Sequence, residues 1–384
     1  MKKLIFLIPL LLLPLFSCSS SSSSDSIIPP YDENKKIKLL TNASGEELNL
    51  VASEVNDYMD GVNKISTYQN VKRDYQNKVT LSFQEEGVTN SHYQVDVSLD
   101  MNFSNVSTYK TYKHSLEITN LFSNQYYYYK VTNLNNNEVS NIGYFKTGDS
   151  PRFITLDNIY NVRDLGGIDT SIIKQGLVYR GAELNNHYSL SENDLKIFVD
   201  DLQIKTDLDL RKSTETNGIT KSPISEDLNY INLSGFDSYQ KLTSDEQKSY
   251  YHDALVTFAD VNNYPIYMHC YQGADRTGTL TAVIAGLMGI SEDKIAKDYE
   301  LTTFAGKDQN DTSYYRSVSS KGYNLIFKNI QMLYPADSLK DSVEKYCIEG
   351  LGLTSDEINN IRDILSGKTL VNIKSNFVTF CGAL

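Results

Sequence analysis

The sequence predicts an α/β layer domain over residues 150–368, preceded by an all-β sandwich over residues 45–148. Three observations predict this. A chain of 384 residues exceeds what one hydrophobic core usually organises. Between about Asn77 and Gly148, apolar and polar residues alternate in short runs (Val79 to Phe83, Tyr93 to Val97, Tyr126 to Val131) separated by Asn, Ser and Gly, the pattern of half-buried strands. After Gly148-Asp149-Ser150-Pro151 the rhythm changes to strands alternating with helices, the signature of an α/β layer architecture.

Within the first unit, Leu121 is followed six residues later by Tyr127, with Tyr129 and Val131 on the same face. This resembles the tyrosine-corner strand of fibronectin type III domains and implies an immunoglobulin-like sandwich, its Tyr126 to Tyr129 run forming core and rim. Within the second unit, Ser191 to Asp194 caps a helix carrying Leu195, Phe198, Val199 and Leu202. Thr354 to Glu357 caps another carrying Ile358, Ile361 and Leu365 and closed by Gly367. Ile204, Thr206, Leu208 and Leu210 alternate as a half-buried strand, and Ile266 to Met268 forms a short apolar strand. The chain has no internal repeat.

The first residues read as an address. Lys2 and Lys3 precede an apolar run from Leu4 to Phe16, too short for a permanent membrane helix. Leu15-Phe16-Ser17-Cys18 resembles the lipobox of bacterial lipoproteins, implying removal of residues 1–17, lipidation of Cys18 and anchoring to the cell envelope outside the cytoplasm. The serine tract Ser19 to Ser24 cannot bury apolar area, so residues 18–44 read as a tether and residues 369–384 as a tail. Processing would leave 34 basic against 48 acidic residues, a net −14. That balance argues against nucleic acid or anionic lipid as the main partner, while leaving room for a small basic pocket. Membrane contact is then expected through the lipid only, and the sandwich is a candidate for binding a protein or glycan. The other three cysteines, Cys270, Cys347 and Cys381, cannot all pair. They fit one working thiol plus a Cys347–Cys381 disulfide, or three unpaired thiols.

The segment Tyr264 to Gly278 carries the chemistry: a strand, then Met268-His269-Cys270-Tyr271-Gln272-Gly273-Ala274-Asp275-Arg276-Thr277, then a helix from Thr277 to about Gly289. A thiol at a strand's end, followed after five residues by arginine, lets the backbone N–H groups from Tyr271 to Arg276 converge on one anion beside a positive helix end. The same field favours thiolate at Cys270, and Arg276 can grip two phosphoryl oxygens. Thr277 can donate to the sulfur, Gly273 permits the tight turn, and Gly278 permits close packing. With five histidines and no clustered Cys/His spacing, neither a metal site nor another cofactor is expected.

His-Cys-x-x-Gly-x-Asp-Arg-Thr-Gly resembles the protein-tyrosine and dual-specificity phosphatase superfamily, in its bacterial and fungal branch that also includes lipid-phosphate and inositol-phosphate phosphatases. Asn161 to Gly167, Tyr179 to Leu184, and Asp209-Leu210-Arg211 with Glu215 resemble that branch's upstream motifs in order. The resemblance implies a mostly parallel sheet flanked by helices, a phosphocysteine intermediate, a phosphoprotein or small phosphate ester as substrate, and no metal. Branch members with lysine directly before Asp-Arg are associated with multiply phosphorylated or lipid substrates, whereas this chain has Ala274. For the proton donor, Asp275 matches the position the branch uses, and Asp237 in Ser234-Gly235-Phe236-Asp237 lies where a mobile acid loop would fall after the strand Tyr230 to Leu233. Asp164 and Asp209 read as ion-paired structural carboxylates. His269 reads as support beneath the loop, hydrogen-bonded to backbone, and Arg163, Arg180 and Arg211 as ion-paired braces. The leading expectation is a protein-tyrosine or dual-specificity phosphatase. The alternatives are an inositol-phosphate or phosphoinositide phosphatase, a surface lipoprotein that binds phosphorylated ligands without turnover, or a sulfurtransferase.

Overall fold

The computed structural model describes residues 27–69, 78–305, 312–373 and 378–381. The expected leader, Cys18 and the serine tract lie outside the described residues. The first part contains β1 (Ile37–Leu39), β2 (Glu46–Leu48), α1 (Ser53–Met59), β3 (Val79–Glu85), β4 (Tyr93–Ser98), β5 (Ser107–Thr111), β6 (Ser115–Thr119), β7 (Tyr126–Asn133) and β8 (Gly143–Thr147). The second contains β9 (Arg163–Asp164), β10 (Val178–Gly181), α2 (Glu192–Lys196), β11 (Thr206–Asp209), β12 (Asn229–Asn232), α3 (Lys248–Ala259), β13 (Ile266–His269), α4 (Asp275–Met288), α5 (Glu292–Glu300), α6 (Ile326–Leu333), α7 (Leu339–Lys345) and α8 (Ser355–Leu365), before β14 (Thr379–Cys381).

Period-two alternation in the first part gives two sheets, ordered β1-β3-β6-β14 and β2-β8-β7-β4-β5. Their inward residues share one core: Ile37, Leu81, Phe83, Leu116 and Ile118 from one sheet, and Tyr93, Val95, Tyr127, Tyr129, Val131 and Phe145 from the other. The Tyr127 hydroxyl accepts the N–H of Phe122 at 2.8 Å, fixing the turn before β7. Pairing is antiparallel except between β2 and β8. Two stretches read as tether and tail supply strands. Residues 37–39 pair with β3, and residues 379–381 pair with β6, because each brings free backbone donors and acceptors to an open sheet edge.

The second part is built on a five-stranded sheet ordered β12-β11-β13-β10-β9, parallel except for the edge strand β9. Val178, Leu208, Ile266 and Met268 face one core with residues of α3, α4, α6, α7 and α8. Tyr179 and Tyr267 face the opposite core with Phe198 and Leu202. The sheet is therefore covered on both faces. The expected half-buried strand around Thr206 to Leu210 is in fact wholly buried, its polar residues included.

Both predicted capping boxes form, at Ser191/Asp194 and Thr354/Glu357. The Leu195–Leu202 helix is shorter than its apolar spacing suggests, since α2 gives way to a π-turn over residues 197–201. The suggested Cys347–Cys381 disulfide is corrected. Cys347 is a free thiol buried in the α/β core, with burial pushing it up to about 12, while the backbone of Cys381 belongs to the β6 edge of the first part.

Candidate active site

In the sheet register, His269 at the end of β13 lies beside Asp209 of β11 and Gly181 of β10. Cys270 thus emerges at the carboxyl ends of three parallel strands, where open α/β sheets bind ligands. From Tyr271 to Ala274 every carbonyl is turned outward by a donor. Tyr271 O accepts from the Glu183 N–H at 3.2 Å, Gln272 O from Asn161 Nδ2 at 2.9 Å, and Gly273 O from Arg180 Nη2 at 2.7 Å. Ala274 O accepts from Arg180 Nη2 at 3.4 Å and from the Gly278 N–H at 2.8 Å. In a planar trans peptide the N–H opposes the C=O, so the amides of residues 272–275 face the cavity side of the loop. Gly273 makes the closure sterically feasible. Its φ is +65°, and a Cβ there would stand 2.1 Å from Gly181 O.

The sulfur of Cys270 is almost wholly buried, which by itself raises a thiol's pKa. The Arg276 guanidinium and hydrogen bonds from the Thr277 hydroxyl and N–H outweigh that, and the thiol lies below its ordinary value despite the nearby Asp275 carboxylate. The Thr277 hydroxyl is buried with no hydrogen-bond partner of good geometry, so its proton is free to turn toward the sulfur. Arg276 is held flat by Glu215, with Nη1–Oε2 at 2.6 Å and Nη2–Oε1 at 2.9 Å, while Nη1 also donates to Leu210 O at 3.1 Å. Burial favours the neutral form of Glu215, but Arg276 and the Lys212 N–H bring its carboxyl below the usual range.

A cysteine thiolate in a ring of amides, with a clamped guanidinium beside it, is a phosphoryl-transfer cradle. The sequence model of the tyrosine phosphatase family matches residues 154–367, which spans the cradle and every upstream segment that braces it. The chain belongs to the tyrosine phosphatase family. It is a cysteine-dependent phosphatase. Its structure is similar to the core catalytic domain of the PP-IP phosphatase Siw14 from S. cerevisiae in complex with citrate, at 20% identity, covering 41% of this chain and 90% of that one, with a TM-score of 0.24. It is also similar to a second structure of the Siw14 catalytic core, at 19% identity, 41% and 89% coverage and a TM-score of 0.25. No curated protein matches the chain.

The phosphatase's arginines are bound as braces. Asp298 on α5 receives Arg163 Nε at 2.7 Å and Arg180 Nη1 at 2.5 Å, so one buried carboxylate ties β9, β10 and the loop together. Arg211 joins Asp209 at 2.7 Å to Glu183 at 2.8 Å. Asp164 pairs with Arg152 at 2.6 Å. His269 hydrogen-bonds to backbone as expected, through Nδ1 and Cys270 O, and two buried carboxylates flank its ring as well. Its Nε2 lies 2.9 Å from Asp207 Oδ1, an ion-pair distance with a poor hydrogen-bond angle, and Nδ1 lies 3.8 Å from Asp209 and 3.4 Å from Cys270 O. Burial disfavours the imidazolium, yet Asp209 and Asp207 raise His269 above its ordinary value.

Both candidate acids are engaged. Asp275 accepts from the Tyr239 hydroxyl, from the Tyr299 hydroxyl at 3.3 Å, and from Arg316 through Nε at 2.7 Å and Nη2 at 3.0 Å, with Lys321 Nζ at 3.6 Å. Burial raises its carboxyl, but Arg316 foremost brings it below the usual range. Asp237 is half-buried and pairs with the exposed Lys241 at 2.7 Å; burial is again outweighed, by Lys241, the Ser238 N–H and Lys212. Asp237 sits two residues before Tyr239, whose N–H donates to Thr279 Oγ of α4 at 3.0 Å, so its segment leans on the helix that carries the cradle. Tyr239 holds φ at +59°, a strained conformation for an aromatic residue. Sequence reasoning missed Tyr239, Tyr299 and Arg316. Arg316 is buried, and its Nη2 also donates to Gln272 Oε1 at 2.9 Å. Among the described residues, no group of three or more His, Cys, Asp or Glu side chains could hold a metal ion.

Proposed function

We propose that the protein hydrolyses phosphomonoesters through a phosphocysteine, with Cys270 as nucleophile and residues 271–277 as the phosphate cradle. The observation that carries this is the lowered Cys270 thiol facing the Glu215-clamped Arg276 at the start of α4. The thiolate forms an S–P bond while the P–O bond to the leaving group breaks, and a carboxylic acid gives that oxygen its proton. Water then attacks phosphorus, the same carboxylate takes its proton, and the S–P bond breaks with help from the Thr277 hydroxyl. Arg276 and the loop amides hold the equatorial oxygens throughout. Asp275 is the favoured acid and Asp237 the alternative. Residues 27–384 should release phosphate from p-nitrophenyl phosphate without added metal and be blocked by vanadate. Cys270→Ser should keep vanadate binding and lose turnover; retained turnover sinks the thiolate mechanism. Asn at the true acid should slow phenyl phosphate far more than p-nitrophenyl phosphate, whose leaving group needs no proton.

The substrate we favour is a phosphotyrosine or other phosphoprotein side chain. A second reading, inositol phosphates, is favoured by Lys212, Lys241 and Lys321, which stand beside Glu215, Asp237 and Asp275 in an otherwise acidic chain. A panel of phosphotyrosine peptide, phosphoserine peptide, inositol hexakisphosphate and a phosphoinositide separates the two. The lipobox-like segment supports display outside the cytoplasm through a lipid on Cys18, with the N-terminal sheets as an immunoglobulin-like, fibronectin type III-like module for a protein or glycan. Mass spectrometry of protein from a lipoprotein-processing bacterium should find diacylglycerol on Cys18 and none in Cys18→Ala.

A further inference from the structure

We propose that residues 53–68, a helical excursion from the N-terminal sheets, are a working part of the active site, acting through Arg316 to orient Asp275 and Gln272. The inference rests on the phosphatase reading above. The excursion runs between β2 and β3 but turns away from their core. Val55, Tyr58, Ile65 and Tyr68 bury instead against Phe153, Leu301 and Phe304. The Phe304 ring lies 6.0 Å from that of Tyr58 and 5.2 Å from that of Tyr68. Polar contacts follow the same path. The Tyr58 hydroxyl donates to Glu300 Oε2 at 2.5 Å, and Lys297 Nζ donates to Met59 O at 3.0 Å.

From there two short routes reach Arg316. The second oxygen of Glu300 accepts the Val318 N–H at 2.7 Å. Thr303, next to Phe304, grips Arg316 by both backbone groups, accepting its N–H at 2.9 Å and donating to its O at 3.0 Å. The Arg316 guanidinium is saturated. Nη1 binds Ser313 O and Tyr315 O, Nε and Nη2 bind both oxygens of Asp275, and Nη2 also binds Gln272 Oε1. With every donor committed inside the protein, Arg316 is a positioning residue and not a substrate contact. A planar fork fixed at its backbone transmits a displacement of its support to the carboxylate it grips, and misplacement by a fraction of an ångström at a reacting group is costly. The N-terminal part is therefore coupled to catalysis.

The test is a double-mutant cycle in residues 27–384, read as kcat/KM for p-nitrophenyl phosphate. Tyr58→Phe keeps the ring packing and removes one hydrogen bond. It should lower kcat/KM about fivefold with an unchanged melting temperature, and the effect should vanish in a chain that already carries Arg316→Lys. Glu300→Gln should behave alike and carries the test if Tyr58→Phe misfolds. A Tyr58→Phe effect of equal size with and without Arg316→Lys, or no effect at all, overturns the coupling. If the unmutated chain gives no vanadate-sensitive turnover, the phosphatase reading has failed instead.

Discussion

The Cys270 sulfur owes its reactivity to neighbours that can be changed one at a time. Arg276→Lys keeps a positive charge but loses the two-pronged grip and the Glu215 match, so kcat should fall by roughly 10²–10³ while Cys270 remains alkylatable, as iodoacetamide kinetics would register. Because Cys270 lies below its ordinary value and the acid candidates lie below theirs, the kcat/KM profile should peak on the acid side of neutrality. A peak above about pH 8 would contradict both directions. His269 gives a separate stability term. Its folded value is raised by Asp209 and Asp207 against burial, so its contribution is complete below about pH 6.5, the unfolded value, and is lost as pH rises through the folded value. Thermal melts should show this alkaline loss in the natural chain and lack it in an Asp207→Asn, His269→Gln double variant. At this scale Cys270, Gly273, Arg276 and Thr277 were legible because short spacing forces them together, and Glu215, 61 residues from Arg276, only through the upstream motif it shares with the family. Arg316 was not, since its carboxylate partner lies 41 residues earlier and nothing near it in the chain marks the pairing.

Among elements, the loop's shape depends on what holds its carbonyls. Asp298→Asn leaves Arg163 and Arg180 short of a buried counter-charge and should cost about 3–5 kcal/mol in denaturant unfolding. Gly273→Ala must move Gly181 backbone or distort its own left-handed φ. It should cost about 1–3 kcal/mol and leave vanadate binding weakened even where the chain still folds. Helix starts were legible because capping boxes are local: Ser191 and Thr354 both cap as written. The burial of β11 was not, because alternation looks the same whether the polar face meets water or, as with Asp207 and Asp209, buried cations.

For the whole molecule, the boundary near Pro151 is a bolted joint. Arg152, fully buried, donates to Leu121 O at 3.1 Å and Asn120 O at 2.9 Å, pairs with Asp164, and lies 4.0 Å over the Phe122 ring. Gln175 and Ser123 exchange two hydrogen bonds at 2.9 Å. Residues 150–384 alone would uncover Phe153, Leu301 and Phe304 and strand Arg152. That fragment should melt lower than residues 27–384 and self-associate in sedimentation, and equal melting would show the joint to be passive. The change of rhythm made the two architectures legible, whereas pairings that cross between them leave no periodic trace.

One such crossing concerns the order of assembly. The sheet begun by residues 37–39 is completed by residues 379–381, at the far end of the chain, and Thr379 ties Asn120 to Asp201 there. A nascent chain must therefore carry β6 with a bare flank until almost everything described has emerged, so closure of the earliest strands is a late event set by the slowest intervening step. A translation-arrested chain ending before residue 379 should expose that flank to strand-pairing dyes and proteases, and release of the finished chain should hide it.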